Sequence, residues 1–290
     1  MTRAGVLGRP IAHSLSPALH RAAYGALGLA WTYEAIDCGV ADLPAVLAAR
    51  HDWRGFSCTM PLKHAVLAAA AEVRPVAAAV GSANTLLPGA AGWIAENTDV
   101  DGVLGAWDEA GIVPLEVTVL GAGGTAQAVV AALARRGVDR CTALVRDRAR
   151  AADLLATGER LGVAVRTARL DVDAPALAAP LVVSTLPAGA ADAVARRRWD
   201  AGQALLDVVY APWPTALARA AAGAGATVVG GAAMLLHQAA RQVELMTGRP
   251  APLPAMRDAL PVPADRPPPA DSGLRSNDAR QHHTTRGGAP

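Results

Sequence analysis

Val117-Thr-Val-Leu120 is a continuous apolar run that leads directly into Gly121-Ala-Gly-Gly124-Thr-Ala126. A strand with no polar face must be covered on both sides, as in a parallel sheet wrapped by helices. The turn after it has a requirement at each small residue. Gly121 permits a tight turn, Gly123 lets backbone approach a pyrophosphate, and Ala126 lets the next helix pack closely on the strand. The first N–H groups of that helix then face an anion. Gly121, Ala122, Gly123, Gly124, Thr125 and Ala126 are therefore the expected cradle of a dinucleotide cofactor. A bare G-x-G-x-x-A also serves as an ordinary turn, and its place between strand and helix is what favours the cradle.

The alternation continues downstream, with strands expected at 141–145, 163–167, 181–184, 204–208 and 227–229 and helices at 123–136 and 148–161. Apolar strands joined by amphipathic helices imply a Rossmann-type, doubly wound parallel sheet. Upstream, strands at 4–7, 31–35 and 55–59 alternate with helices at 17–27, 42–49 and 63–71, and a hairpin is expected at 83–87 and 92–96. Ser16 before Pro17 reads as an N-cap followed by proline at the first helical position. A connecting helix at 101–110 and a last helix at 232–246 complete an α/β chain of two domains, with boundaries at 1–102, 103–231 and 232–249. Residues 250–290 turn to Pro, Asp, Arg, Ser, Gly and His and are expected to be a mostly disordered tail. The adjacent His282 and His283 make a poor metal site there, and no metal is expected.

A length of 290 residues suits two domains. A single Phe leaves the core to Leu, Val and Ala, a composition suited to close helix-on-sheet packing. The net charge is +2 and the arginines are scattered, so no nucleic-acid footprint stands out. Cys38, Cys58 and Cys141 form no CxxC pattern, which points to a reducing compartment rather than a disulfide framework. The N-terminal apolar run is short for a signal peptide and no stretch reads as a membrane span, so a cytoplasmic protein is expected. Lys63 is sharper evidence: it is the only lysine among 27 basic residues. Arginine can replace lysine as a surface cation but cannot give up a proton near neutral pH. A lone surviving lysine is thus either chance or a sign of proton chemistry.

The end of the second Rossmann strand separates NAD from NADP, since an acid there binds the ribose 2′-hydroxyl and arginine accommodates a 2′-phosphate. Val145-Arg146-Asp147-Arg148-Ala149-Arg150 carries both signals. Three arginines around one acid favour NADP, with Arg146 and Arg150 as phosphate contacts and Asp147 expected to hold an arginine. NAD remains open.

Gly8-Arg-Pro10-Ile-Ala-His13-Ser14-Leu-Ser16-Pro17-Ala-Leu-His20 resembles the opening motif of the shikimate dehydrogenases. Thr59-Met-Pro61-Leu-Lys63, Ala83-Asn84-Thr85, Asn97-Thr98-Asp99-Val-Asp-Gly102 and Gly121-Ala-Gly-Gly124 resemble further blocks of that family. So do Asp207-Val-Val-Tyr210-Ala-Pro212 and Gly231-Ala-Ala-Met234-Leu-Leu-His-Gln238. The blocks follow the family order and span residues 5–248.

This resemblance implies a substrate domain over 1–102, an NADP-binding domain over 103–231 and a last helix returning to the first domain. The active site would lie in the cleft between them. It implies reversible, NADPH-dependent reduction of 3-dehydroshikimate to shikimate. Reducing a ketone requires a proton from the protein, and Lys63 with Asp99 matches the family's acid–base pair. Ser14 and Ser16 match the residues that hold the substrate carboxylate, assisted by Tyr210. Thr59, Asn84 and Gln238 match those that hold the ring hydroxyls, and Gly231 matches a cofactor contact. Without the resemblance, Ser14 and Ser16 read as turn and capping residues, and Asp99 as an N-cap.

The chain departs from the family pattern in places. Ser57 and Cys58 stand for the usual Asn-Val, and Arg21 for a common Asn. Val145 and Asp147 stand where the NADP motif usually has Asn and Thr. The aromatic residues usual near 242–246 are missing. Two other readings stand beside the first: an NAD-dependent quinate/shikimate dehydrogenase, and a non-catalytic Rossmann protein that senses NADP or a metabolite. The expected partners are small molecules alone, with no nucleic acid or membrane, and the chain is expected to be a monomer or homodimer.

Overall fold

Two six-stranded sheets organise residues 1–261, which are the residues described by this computed structural model. The first sheet contains β1 (Thr2–Gly8), β2 (Trp31–Asp37), β3 (Phe56–Cys58), β4 (Glu72–Val73), β5 (Thr85–Gly89) and β6 (Gly92–Glu96). Its order is β2-β1-β3-β5-β6-β4. The strands β1, β2 and β3 are parallel, whereas β5 runs against β3 and turns back into β6. The helices α1 (Ser16–Ala26), α2 (Leu43–Ala48), α3 (Ala65–Ala69) and α4 (Pro75–Val80) connect these strands. Side chains alternate across a strand, so neighbours on β1 feed different cores. Leu7 packs with Trp53, Phe56 and Leu86, and Val6 with Tyr24, Tyr33 and Met246.

Helix α5 (Asp99–Glu109) leads into the second sheet. That sheet contains β7 (Val117–Leu120), β8 (Arg140–Val145), β9 (Ala164–Arg169), β10 (Leu181–Ser184), β11 (Ala204–Asp207) and β12 (Thr227–Gly230). All of its pairings are parallel. The order β12-β11-β10-β7-β8-β9 is that of a doubly wound dinucleotide-binding sheet. The helices α6 (Gly124–Arg135), α7 (Ala152–Leu161) and α8 (Ala216–Gly223) cover it. Val117 and Val119 meet Val103, Val129 and Leu133 on one face, while Leu120 and Val182 meet Trp199 and Leu217 on the other. Each such fully buried Val or Leu contributes about 1.5–3 kcal/mol relative to exposure. The strand order reverses between β7 and β10, where such sheets open a ligand crevice.

Helix α9 (Gly231–Thr247) returns from β12 to the first sheet. A Cβ on Gly231 would lie 2.0 Å from the Val208 carbonyl oxygen, so only glycine permits this start. A Cβ on Gly102 of α5 would lie 2.7 Å from the Met234 carbonyl, which shows how closely the two helices cross. Farther along, Leu236, Ala239 and Val243 pack on Leu19 and Ala23 of α1.

Several expectations need correction. Ser16 does not cap α1; it is the first residue of the helix, after Leu15, and makes no side-chain cap. The helix expected at 63–71 shrinks to Ala65–Ala69 because Ala70 is already extended (φ −87°, ψ 140°) and Glu72–Val73 pairs with β6. Lys63 consequently stands in a turn. The expected tail starts too early, since Leu253–Asp258 forms α10. Met256 is fully buried there, and Arg257 and His237 both donate to Glu109 at the end of α5. Residues 262–290, with His282 and His283, lie outside the described residues.

Candidate active site

The ends of β1 and β3, the start of α5 and one face of α9 enclose a cavity of about 340 Å³ facing the crevice of the second sheet. Lys63, Asp99, Asn84, Thr59, Ser14 and Ser16 line it from the first domain. Gln238 joins from α9, and Thr125, Tyr210 and Gly231 from the cofactor side. Every residue expected to act on the substrate therefore reaches one cavity.

Lys63 Nζ donates to Asp99 Oδ2 at 2.5 Å, and the two side chains are 18% and 7% exposed. The other carboxylate oxygen accepts from Asn84 Nδ2 at 2.9 Å. Asn84 Oδ1 accepts the Thr98 N–H at 2.8 Å and the Thr85 hydroxyl at 2.9 Å, which turns its amino group toward Asp99 and Gln238. Asp99 is the first residue of α5, where the helix dipole favours a carboxylate. Its side chain does not cap the helix; instead its own N–H is received by Asn97 Oδ1 at 3.0 Å. Ser14 Oγ accepts the Ser16 N–H at 3.3 Å, which holds the two serines side by side. Tyr210 is 36% exposed, and burial of the rest of its side chain raises its pKa. Its loop is tied by Asp207, which accepts from Thr215 Oγ1 at 2.7 Å and whose carboxyl is pushed up by burial.

The glycine turn fits a dinucleotide. Gly121 has φ +105°, and a Cβ there would lie 2.7 Å from Thr185 Oγ1. Nothing lies within 4 Å of a Cβ on Gly123, and Gly123 offers α6 no side-chain cap. The first amides of α6 are thus open to an anion. A Cβ on Gly124 would lie 3.5 Å from Lys63 Cδ, so the turn abuts the Lys63–Asp99 pair. Ala122 and Ala126 complete the turn, Ala126 fully buried. Arg146 and Arg150 are exposed just beyond β8. Asp147 does not hold an arginine, because it caps the following turn by accepting the Ala149 N–H at 2.9 Å.

Sequence reasoning missed Gln242, Ser57, His20 and Tyr33, which form a buried polar group against the cavity. Gln242 Oε1 lies 2.6 Å from Ser57 Oγ and 3.2 Å from His20 Nε2. One signal was available: Gln242 is four residues after Gln238, on the same helical face.

A doubly wound sheet whose glycine turn abuts a Lys–Asp pair, beside a second domain built on a mixed sheet, defines a two-domain dinucleotide-binding α/β protein. Residues 6–86 match the shikimate dehydrogenase substrate binding domain. Residues 117–229 match the saccharopine dehydrogenase NADP binding domain, and residues 231–260 the shikimate 5'-dehydrogenase C-terminal domain. The shikimate dehydrogenase (NADP(+)) of Anaeromyxobacter sp. (strain Fw109-5) is 39% identical over 268 residues, covering 89% of this chain and 95% of its own. The Mycobacterium tuberculosis shikimate dehydrogenase structure is 49% identical with TM-score 0.80, covering 89% of this chain and 98% of its own. The Thermus thermophilus shikimate 5-dehydrogenase, solved with NADP(H) and shikimate, is 35% identical with TM-score 0.77 and covers the same shares. The chain belongs to the shikimate dehydrogenase family.

Proposed function

We propose that the chain catalyses the reversible reduction of 3-dehydroshikimate to shikimate with NADPH. The observation that carries this is the Lys63–Asp99 pair, which lines a polar cavity directly against the glycine turn. Ser14, Ser16 and Tyr210 would hold the substrate carboxylate, and Thr59, Asn84 and Gln238 the ring hydroxyls. A buried site that hydrogen-bonds each hydroxyl rejects analogues that lack one. In the reductive direction, Lys63 Nζ gives a proton to the substrate oxygen as it becomes an alkoxide. Asp99 keeps that ammonium oriented. The return path runs in reverse, with the neutral amine taking the hydroxyl proton.

Residues 121–126 with Gly231 would hold the pyrophosphate side of the cofactor, and Arg146 with Arg150 its 2′-phosphate. When bound, NADPH supplies the hydride that reduces the carbonyl carbon. Cys38, Cys58 and Cys141 are all unpaired and buried, which supports a cytoplasmic enzyme. Steady-state rates with shikimate and with quinate, each with NADP and with NAD, test the assignment. Shikimate with NADP should be the most efficient pairing; more efficient oxidation of quinate with NAD would overturn it.

A further inference from the structure

Gln242 is 1% exposed, yet it borders the substrate cavity one helical turn beyond Gln238. Its Oε1 accepts from Ser57 Oγ at 2.6 Å and from His20 Nε2 at 3.2 Å. Its Nε2 donates to Thr85 Oγ1 at 3.0 Å and to the Asn84 carbonyl at 3.3 Å. These four partners use both amide hydrogens and both oxygen lone pairs. Gln242 has nothing left to offer a ligand, so any effect on the reaction passes through its neighbours.

The direction of each bond in this group is determined. Gln242 Oε1 can only accept, so Ser57 donates to it and His20 carries its hydrogen on Nε2. Burial holds His20 neutral, its pKa pushed down to about 3. Ser57 Oγ, having given its hydrogen, accepts from the Tyr33 hydroxyl at 2.5 Å. On the other side, Thr85 receives the Gln242 amide and donates its own hydroxyl to Asn84 Oδ1 at 2.9 Å. That oxygen also takes the Thr98 N–H, so the Asn84 amino group must face Asp99 Oδ1. The series ends at Lys63 Nζ on Asp99 Oδ2.

We infer that Gln242 is a positioning residue for the Lys63–Asp99 pair, acting through Thr85 and Asn84. Its amide orients the Thr85 hydroxyl, which pins Asn84 with its donors on Asp99. The inference rests on the function proposed above. Gln242→Met keeps the volume and removes all four hydrogen bonds. Its kcat for shikimate oxidation should fall about tenfold, the worth of one well-placed hydrogen bond, with KM changed far less. Thr85→Val should reproduce that loss, and the double variant should lose no more than either alone.

Gln242→Glu gives a readout that a filler role would not move. An ionised carboxylate cannot donate to Thr85, whereas its protonated form can. The ratio of variant to wild-type kcat should therefore rise as pH falls through the glutamate pKa, which burial raises. A Gln242→Met protein that folds and turns over at the wild-type rate would overturn the inference. So would a Gln242→Glu ratio that stays flat with pH, which also decides the matter if the Met variant fails to fold. Wild-type protein with no activity on shikimate and NADP would sink the functional proposal and this inference together. An active wild type with unaffected variants would sink only the inference.

Discussion

Lys63 Nζ meets Asp99 Oδ2 at 2.5 Å, while Asn84 occupies the other oxygen of the same carboxylate. Both oxygens of Asp99 are thus engaged, one by the ammonium and one by Asn84, which holds the carboxylate in a single geometry. Asp99→Asn keeps the side-chain shape but removes the charge that holds the ammonium. Its turnover should fall by about 10²-fold, at the lower end of general acid–base contributions, with shikimate KM changing less. An Asp99→Asn enzyme with wild-type kcat would show that Lys63 needs no such partner.

Arg146 lies exposed just beyond β8. If it receives the 2′-phosphate, Arg146→Ala should raise KM for NADP by the equivalent of about 1–3 kcal/mol, the worth of a charge-assisted contact. Kinetics with NAD should barely change. Equal losses with both cofactors would remove the phosphate role.

His20 lies fully buried and neutral, stacked on Tyr33 with ring centroids 4.0 Å apart. Its folded pKa of about 3 lies below the unfolded value of 6.5. The unfolded chain therefore gains a proton that the folded chain refuses as pH falls below 6.5, and stability drops until about pH 3. At pH 5 this amounts to roughly 2 kcal/mol relative to pH 7. Denaturant unfolding of wild type and His20→Gln at both pH values isolates the contribution. Wild type should lose about 2 kcal/mol more than the variant; equal losses would mean His20 is not held neutral.

The glycine turn and the apolar strands were legible in the sequence because each has little alternative use. A strand with no polar face has to be covered, and Gly121, at φ +105°, occupies a conformation that side chains resist. The buried polar group was not legible, because folding alone assembles it. His20 and Gln242 are 222 residues apart, and Ser57 and Gln242 are 185 apart. Ser14 and Ser16 were placed by resemblance, since two serines before a helix otherwise read as caps. Helix α10 escaped notice because its six residues, Leu253–Asp258, sit in a proline-rich stretch with one fully buried residue, Met256, packed on α1 and α9.

That helix sets a boundary for truncation. Ending the chain after 261 keeps all of α10 and the residues it packs on, and melting temperature and turnover should not change. Ending it after 249 also deletes buried Met256 and the Arg257–Glu109 pair. Loss of the Met256 side chain alone should cost about 2–5 kcal/mol, read as a lower melting temperature. A large loss from the shorter truncation would show that residues beyond 261 dock on the protein.

The turnover number of Lys63→Arg tests the mechanism most directly. This chain uses arginine at every other basic position apart from its histidines, so a lysine kept only for its charge would be replaced silently. Arginine cannot release a proton near neutral pH, and its planar fork is wider than an ammonium. If Lys63 exchanges a proton with the substrate oxygen, kcat should fall by roughly 10² to 10⁴ while shikimate affinity changes much less. A Lys63→Arg enzyme with wild-type turnover would contradict the role of Lys63 as the proton donor.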